Sequence, residues 1–134
     1  MSEGRVLVVD DVADVRKSVR LILSKVGYDV VEAEDGEAGV RAIKRGDNPY
    51  ALGAIICDLN KPKMSGMEAI PYFRSHFPHS SVIVLSGEVT TERARVLFKQ
   101  GVSDILSKPI DQGKLLAAVK KAFDAGRLKD EFTT

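Results

Sequence analysis

Short apolar runs alternate with longer amphipathic segments along the chain, and this alternation constrains the fold more than any other feature. The first run, Arg5 to Asp10, is nearly continuously apolar, as expected of a strand that helices cover on both faces. Ala13–Val26 then predicts a helix, with one face formed at helical spacing by Val12, Val15, Val19, Ile22 and Val26, and with Arg16, Lys17 and Arg20 mostly facing water. Further strands are predicted over 28–33, 52–58, 81–86 and 104–107, and further helices over 36–45, 66–77, 91–100 and from 111 to at least 123.

Five consecutive strand–helix units predict an α/β fold with an open, doubly wound parallel sheet. The expected five-stranded order is 2-1-3-4-5, the flavodoxin-like (βα)5 arrangement, because the helices are too few for a closed barrel. A length of 134 residues suits one domain. We assign residues 1–125 to that domain and residues 126–134 to a C-terminal tail or the start of a linker.

The composition argues against nucleic-acid binding, secretion and membrane insertion. The 20 Lys and Arg residues nearly balance the 19 Asp and Glu residues, and the net charge of +1 argues against direct nucleic-acid binding. The single cysteine cannot form an internal disulfide, and the sequence predicts neither a secretion signal nor a membrane span. We therefore expect a cytoplasmic protein without membrane association.

Reactive side chains follow the predicted strands at the ends where an open parallel sheet binds ligands. Asp10 and Asp11 end the first strand, Asp58 ends the third, Ser86 ends the fourth, and Lys108 follows the fifth. Two carboxylates about 5 Å apart repel by roughly 3 kcal/mol at an effective dielectric near 20. Such an all-oxygen cluster suits a hard divalent cation.

In sequence, these motifs resemble the response-regulator receiver family of two-component signalling, including chemotaxis-regulator-like proteins. The resemblance runs from about Arg5 to Phe123. It is carried by Asp10-Asp11, the stretch Asp58–Gly66 (DLNKPKMSG), Ser86-Gly87 and Lys108-Pro109.

The resemblance implies a role for each acidic residue. Asp58 corresponds to the phosphoacceptor, a carboxylate nucleophile that attacks a phosphohistidine. Asp11 and Asp58 correspond to direct ligands of Mg²⁺ or Mn²⁺, and Asp10 to a ligand through water. Asn60 stands where the family's backbone carbonyl completes the metal shell.

The remaining positions carry the family's switch. Ser86 resembles the hydroxyl residue that moves onto the phosphoryl group, and Lys108 the lysine that pairs with the acceptor. Pro109 occupies the position where relatives commonly hold a cis peptide. Ile105 departs from the family pattern, which usually has Tyr or Phe three residues before the lysine. An aromatic rotamer change therefore cannot report activation in this chain.

The function implied is that of a phosphoacceptor in a phosphorelay, which switches interactions with a partner or output domain. It would catalyse only its own phosphotransfer and dephosphorylation, and is not otherwise an enzyme. The donor would be a sensor histidine kinase or a histidine phosphotransfer protein. The output target would meet the face of the fourth helix, fifth strand and fifth helix. A homodimer that forms on phosphorylation is a further option.

Three other functions fit the sequence less well. A phosphatase of the haloacid-dehalogenase type needs a second aspartate two residues after the nucleophile, and Asn60 stands there. A flavin carrier needs a phosphate-binding loop after the first strand, where Asp10 and Asp11 would repel phosphate. A scaffold that has lost phosphorylation is disfavoured because competent residues stand at all five site positions.

Overall fold

The computed structural model describes residues 4–45, 52–58 and 66–133, with side chains for all of these except 66–68 and 126–133. Five strands and five helices alternate along these residues. They are β1 (Gly4–Val9), α1 (Ala13–Lys25), β2 (Tyr28–Ala33), α2 (Gly36–Arg45), β3 (Leu52–Asp58), α3 (Gly66–His76), β4 (Ser81–Ser86), α4 (Thr91–Lys99), β5 (Asp104–Ser107) and α5 (Gln112–Thr133).

The strands form one parallel sheet in the order β2-β1-β3-β4-β5, which confirms the predicted fold class and strand order. Because side chains alternate across a strand, the two faces of the sheet carry separate apolar cores. One core joins the sheet to α2, α3 and α4 and includes Ile43, Phe73 and Leu97. The other joins it to α1 and α5 and includes Leu23, Leu115 and Val119.

The buried face of α1 differs from the predicted one. Val19 is buried as expected, but Val12 and Val26 are 48% and 46% exposed, and Leu23 is buried in their place. The two valines flank the helix, where the chain has turned away from the sheet. Gly27 adopts a φ of 98°, a conformation that favours glycine, and its N–H donates to the Ser24 carbonyl at 3.1 Å to end the helix.

The last helix was predicted to reach at least Phe123, and it continues beyond that residue as far as Thr133. Phe123 stacks on Tyr28 with ring centroids 5.2 Å apart. Its ring also covers Gly4 and Gly53, where a Cβ atom would come within 2.2 Å of it. No helix within the described ranges is both long enough and apolar enough to cross a membrane.

The contact between Phe123 and Gly53 can be tested. Gly53→Ala should lower the free energy of unfolding by roughly 1–3 kcal/mol, because the added methyl overlaps the ring. Gly87→Ala is the matched control, since a Cβ there meets nothing within 4 Å. Urea unfolding would measure both. Equal stability of the two variants would show that the ring moves aside freely.

Candidate functional site

Asp10 is held in a fixed position at the carboxyl end of β1. Its N–H donates to the Ala33 carbonyl at 3.1 Å, and its Oδ1 accepts from the Val12 N–H at 2.8 Å. The residue is fully buried, and its Oδ2 accepts no hydrogen bond in the described part of the chain. A buried carboxylate oxygen without a hydrogen-bond donor is costly, so a further positive partner would stabilise this atom.

Asp58 and Lys108 form the central ion pair of the crevice. Asp58 is the last residue of β3 and is 2% exposed. Lys108 follows β5, and its Nζ donates to Asp58 Oδ2. The same Nζ lies 3.9 Å from Asp10 Oδ2. One ammonium group therefore faces two buried carboxylates, and the three side chains carry a net negative charge when both carboxyls are ionised.

The electrostatic cost falls on Asp10. The pKa of Asp10 is raised from 3.8 to about 6, first by burial and then by the neighbouring Asp58 carboxylate, against the lowering effects of the Val12 N–H and Lys108. The protonated form is thus favoured by folding. Without a cation, ionised Asp10 destabilises the folded state, and this cost is present above about pH 6.

The Ser86 hydroxyl is already engaged in the loop after β4. It donates to the Glu88 carbonyl at 2.8 Å and accepts from the Glu88 N–H at 3.3 Å. The Ser86 carbonyl in turn accepts from the Lys108 N–H at 2.9 Å. This hydroxyl holds the β4–α4 loop closed, and the backbone of the same residue ties β4 to the lysine.

The other predicted site residues occupy varied positions. Asp11 is exposed beside the crevice, and the Lys108-Pro109 peptide is cis, as expected. Ile105 lies opposite Val84 on β5, partly buried against the core that contains α4. Asn60 falls outside the described residues.

The donor set suits a hard cation. Asp10 and Asp58 supply carboxylate oxygens, and carboxylate oxygens bind Mg²⁺ well; Asp10 Oδ2 accepts no hydrogen bond from the residues that the structure describes. Within residues 4–45, 52–58 and 66–133, no three His, Cys, Asp or Glu side chains form a metal-binding group by themselves. Asp10, Asp11 and Asp58 thus do not form such a group in this structure, and a cation here would need the exposed Asp11 side chain to turn inward, or water and backbone oxygens, besides the two buried carboxylates.

Two residues near the site were not predicted from the sequence. Glu88 holds Ser86 through backbone atoms alone, so its side chain gives no signal. Arg16 was interpreted as a mostly solvent-facing residue of α1, but its Nη1 donates to the Asp10 carbonyl at 2.6 Å. Its position six residues after Asp10, in the second turn of the helix, was the available clue.

Comparison with known proteins identifies the family. The sequence model of the response regulator receiver domain matches residues 6–120. The chain belongs to the response regulator receiver family. Receiver domains are regulatory modules of two-component systems, typically use Mg²⁺, and work with a histidine kinase and an output. Membership therefore supports a phosphoacceptor role for this chain.

Individual relatives agree with this assignment. The chain is 32% identical over 121 residues to the transcriptional regulatory protein GlrR of Escherichia coli (strain K12), covering 90% of this chain and 26% of that protein. It is 30% identical over 127 residues to the transcriptional regulatory protein FixJ of Azorhizobium caulinodans, covering 92% and 58%. A receiver domain structure from Clostridium thermocellum superposes with a TM-score of 0.83 at 27% identity, covering 93% and 98%. The chain thus spans about a quarter of GlrR and just over half of FixJ.

The burial of Asp10 predicts a pH-dependent stability in the metal-free protein. The pKa of Asp10 in the folded protein, about 6, exceeds the ordinary 3.8. The contribution of Asp10 to the free energy of unfolding is therefore fully present below about pH 4 and is lost as the pH rises through 6. Asp10→Asn should remove that loss and raise the free energy of unfolding at pH 7.5 by about 1–3 kcal/mol. Chemical unfolding between pH 4 and 8 with chelator present would measure it.

Asp11→Asn is the control, because its carboxylate is exposed and should change stability by no more than about 0.5 kcal/mol. If both variants gain equally, general charge reduction rather than burial of Asp10 explains the effect.

Proposed function

We propose that this domain receives a phosphoryl group on Asp58 from a phosphohistidine and that the modified crevice then rearranges the β4–α4 loop and α4. The observation that carries the proposal is the ion pair of buried Asp58 with Lys108, which lies beside the Asp10 oxygen that accepts no hydrogen bond from any described residue. The donor would be a sensor histidine kinase or a histidine phosphotransfer protein, and the compartment would be the cytoplasm.

The chemistry follows from the positions of these groups. An Asp58 carboxylate oxygen attacks the phosphorus atom, an acyl phosphate O–P bond forms, and the P–N bond of phosphohistidine breaks. The imidazole leaves with the electron pair of that bond. Lys108 Nζ already donates to Asp58 and can transfer its hydrogen bond to a phosphoryl oxygen, where it offsets the charge that develops.

A divalent cation, Mg²⁺ or Mn²⁺, would supply the rest of the positive charge. Asp11 and Asp58 are proposed as direct ligands, Asp10 as a ligand through water, and the Asn60 carbonyl as a further ligand. When bound, the cation would neutralise the carboxylates and the phosphoryl oxygens together. Asp10 supports this role because its Oδ2 lies buried beside Lys108 and accepts no hydrogen bond among the described residues.

The switch is proposed to start at Ser86. To donate to a phosphoryl oxygen, its hydroxyl must give up the hydrogen bond that it donates to the Glu88 carbonyl, and the loop then loses one of the two bonds that tie it to Ser86. Gly87 carries no side chain to obstruct the movement. The signal would thus pass from the site to the loop through the loss of the hydrogen bond to the Glu88 carbonyl.

The helix after this loop is loosely attached and well suited to respond. In α4, whose residues are all described, Leu97 is the only fully buried side chain. Its start is capped by Thr90, whose Oγ1 accepts from the Arg93 N–H at 3.1 Å. A helix held by one buried side chain shifts at low cost compared with a helix embedded in the core.

The face of α4, β5 and α5 is the proposed contact for an output target. Phe98 of α4 is 51% exposed, and a large exposed aromatic side chain is typical of binding surfaces. A homodimer formed on phosphorylation would be one way to cover it. GlrR and FixJ are named transcriptional regulators, so an output in transcription is a proposal for a longer protein that contains this domain.

The acceptor can be tested directly. With acetyl phosphate and Mg²⁺, wild type should take up one phosphoryl group and Asp58→Asn none, because only Asp58 both ends β3 and pairs with Lys108. Intact-mass spectrometry measures the uptake. Asp104→Asn, at the opposite end of β5, is the control and should take up as much phosphate as wild type. Equal uptake by Asp58→Asn would refute the assignment.

The route of the switch is tested at Ile105. This side chain is stiff about its first torsion and has no hydroxyl. Ile105→Ala should lower stability by roughly 1–3 kcal/mol, since it packs on the core, yet leave phosphorylation intact. Amide chemical shifts with and without beryllofluoride should change mainly over residues 87–95 in both proteins. Changes confined to Ile105 would show that its side chain is the switch.

A further inference from the structure

Arg16 reaches from α1 back to the acidic end of β1. Its Nη1 donates to the Asp10 carbonyl oxygen at 2.6 Å, and its side chain is 14% exposed. We propose that Arg16 is a positioning residue that fixes Asp10 and Asp11 for the divalent cation and thereby sets the cation affinity of the domain. This inference rests on the proposed function, because it assumes that the acidic crevice binds a cation.

The arginine is itself held by the neighbouring strand. Its Nε lies 3.4 Å from Oε1 of Glu32, a residue of β2, as an ion pair without a hydrogen bond among the described residues. The next residue of β2, Ala33, accepts the Asp10 N–H at 3.1 Å. Adjacent residues of one strand therefore fix both polar ends of the Asp10 backbone, one directly and the other through Arg16.

These contacts leave only one polar atom of Asp10 available. The N–H, the carbonyl and Oδ1 all have partners, and Oδ2 is buried without a hydrogen bond in the described part of the chain. Fixing the other three atoms fixes the direction of Oδ2 and of the peptide that leads to Asp11. Preorganised ligands bind a cation more tightly because less freedom is lost on binding.

The same helix contains a matched control. Arg20 also pairs with Glu32, with its Nη1 2.9 Å from Oε2, but its side chain is 56% exposed. The hydrogen bond to the Asp10 carbonyl comes from Arg16. A purely structural role in joining α1 to β2 would be shared by both arginines, whereas a role in positioning the acidic residues belongs to Arg16.

Calorimetric titration with Mg²⁺ on wild type, Arg16→Met and Arg20→Met separates these roles. Removing a residue that hydrogen-bonds a metal ligand typically weakens metal affinity by about 10- to 100-fold. Arg16→Met should weaken Mg²⁺ binding by about tenfold or more, while Arg20→Met stays within about twofold of wild type. Equal affinity of Arg16→Met and wild type, or equal losses in both variants, would overturn the proposal.

Two further measurements separate a positioning role of Arg16 from a general loss of structure. Amide hydrogen exchange of Val12 without metal should be faster in Arg16→Met and unchanged in Arg20→Met, because that N–H bonds Asp10 Oδ1. If Arg16→Met does not fold, Glu32→Gln decides, since it removes the anchor of Arg16 and should weaken Mg²⁺ binding about threefold or more. Wild-type affinity in Glu32→Gln would then refute the proposal.

Phosphorylation kinetics give the last discrimination. Arg16→Met should reach the wild-type rate with acetyl phosphate once Mg²⁺ is raised to saturation, because only affinity is lost. A rate that stays low at saturating Mg²⁺ would contradict a positioning role. Failure of wild type itself to bind Mg²⁺ would refute the proposed function, whereas binding by wild type with unchanged Arg16→Met refutes the role of Arg16 alone.

Discussion

The interaction on which this site depends is the contact of one ammonium group with two buried carboxylates. Lys108 pairs with Asp58 and lies 3.9 Å from Asp10 Oδ2, while the Asp10 pKa is raised to about 6 by burial and its neighbour. The arrangement is electrostatically incomplete when both carboxyls are ionised. Under the proposed function, a bound cation would balance this charge and would allow the crevice to accommodate a phosphoryl group as well.

The fold creates this contact and limits where its effects can travel. A parallel sheet brings the carboxyl ends of β1, β3 and β4 to one edge, and the cis Lys108-Pro109 peptide follows β5 there. One apolar core joins the sheet to α1 and α5, and on this side the Phe123 ring covers Gly4 and Gly53. The opposite side includes α4, which one buried leucine anchors. A change at the crevice is therefore expected to move α4 before any other helix.

The sequence alone predicted most of the fold because its two periodicities are clear. The strands β2 to β5 were predicted residue for residue, since β-branched runs end at Gly, Pro or acidic residues. The predicted face of α1 was wrong at Val12 and Val26, because helical spacing cannot show where the chain leaves the sheet. The convergence of Asp10, Asp58 and Lys108 followed from the strand order. The contacts of Arg16 and Glu88 did not, because they depend on side-chain reach and on backbone atoms.

The central claim is that this crevice needs a divalent cation to balance its buried charge. The most direct test is the thermal unfolding midpoint of wild type as Mg²⁺ is raised at constant ionic strength. The midpoint of wild type should rise with Mg²⁺ as mass action requires, and that of Asp58→Asn should rise much less. The same midpoint for wild type with and without millimolar Mg²⁺, at a pH where Asp10 is ionised, would contradict it.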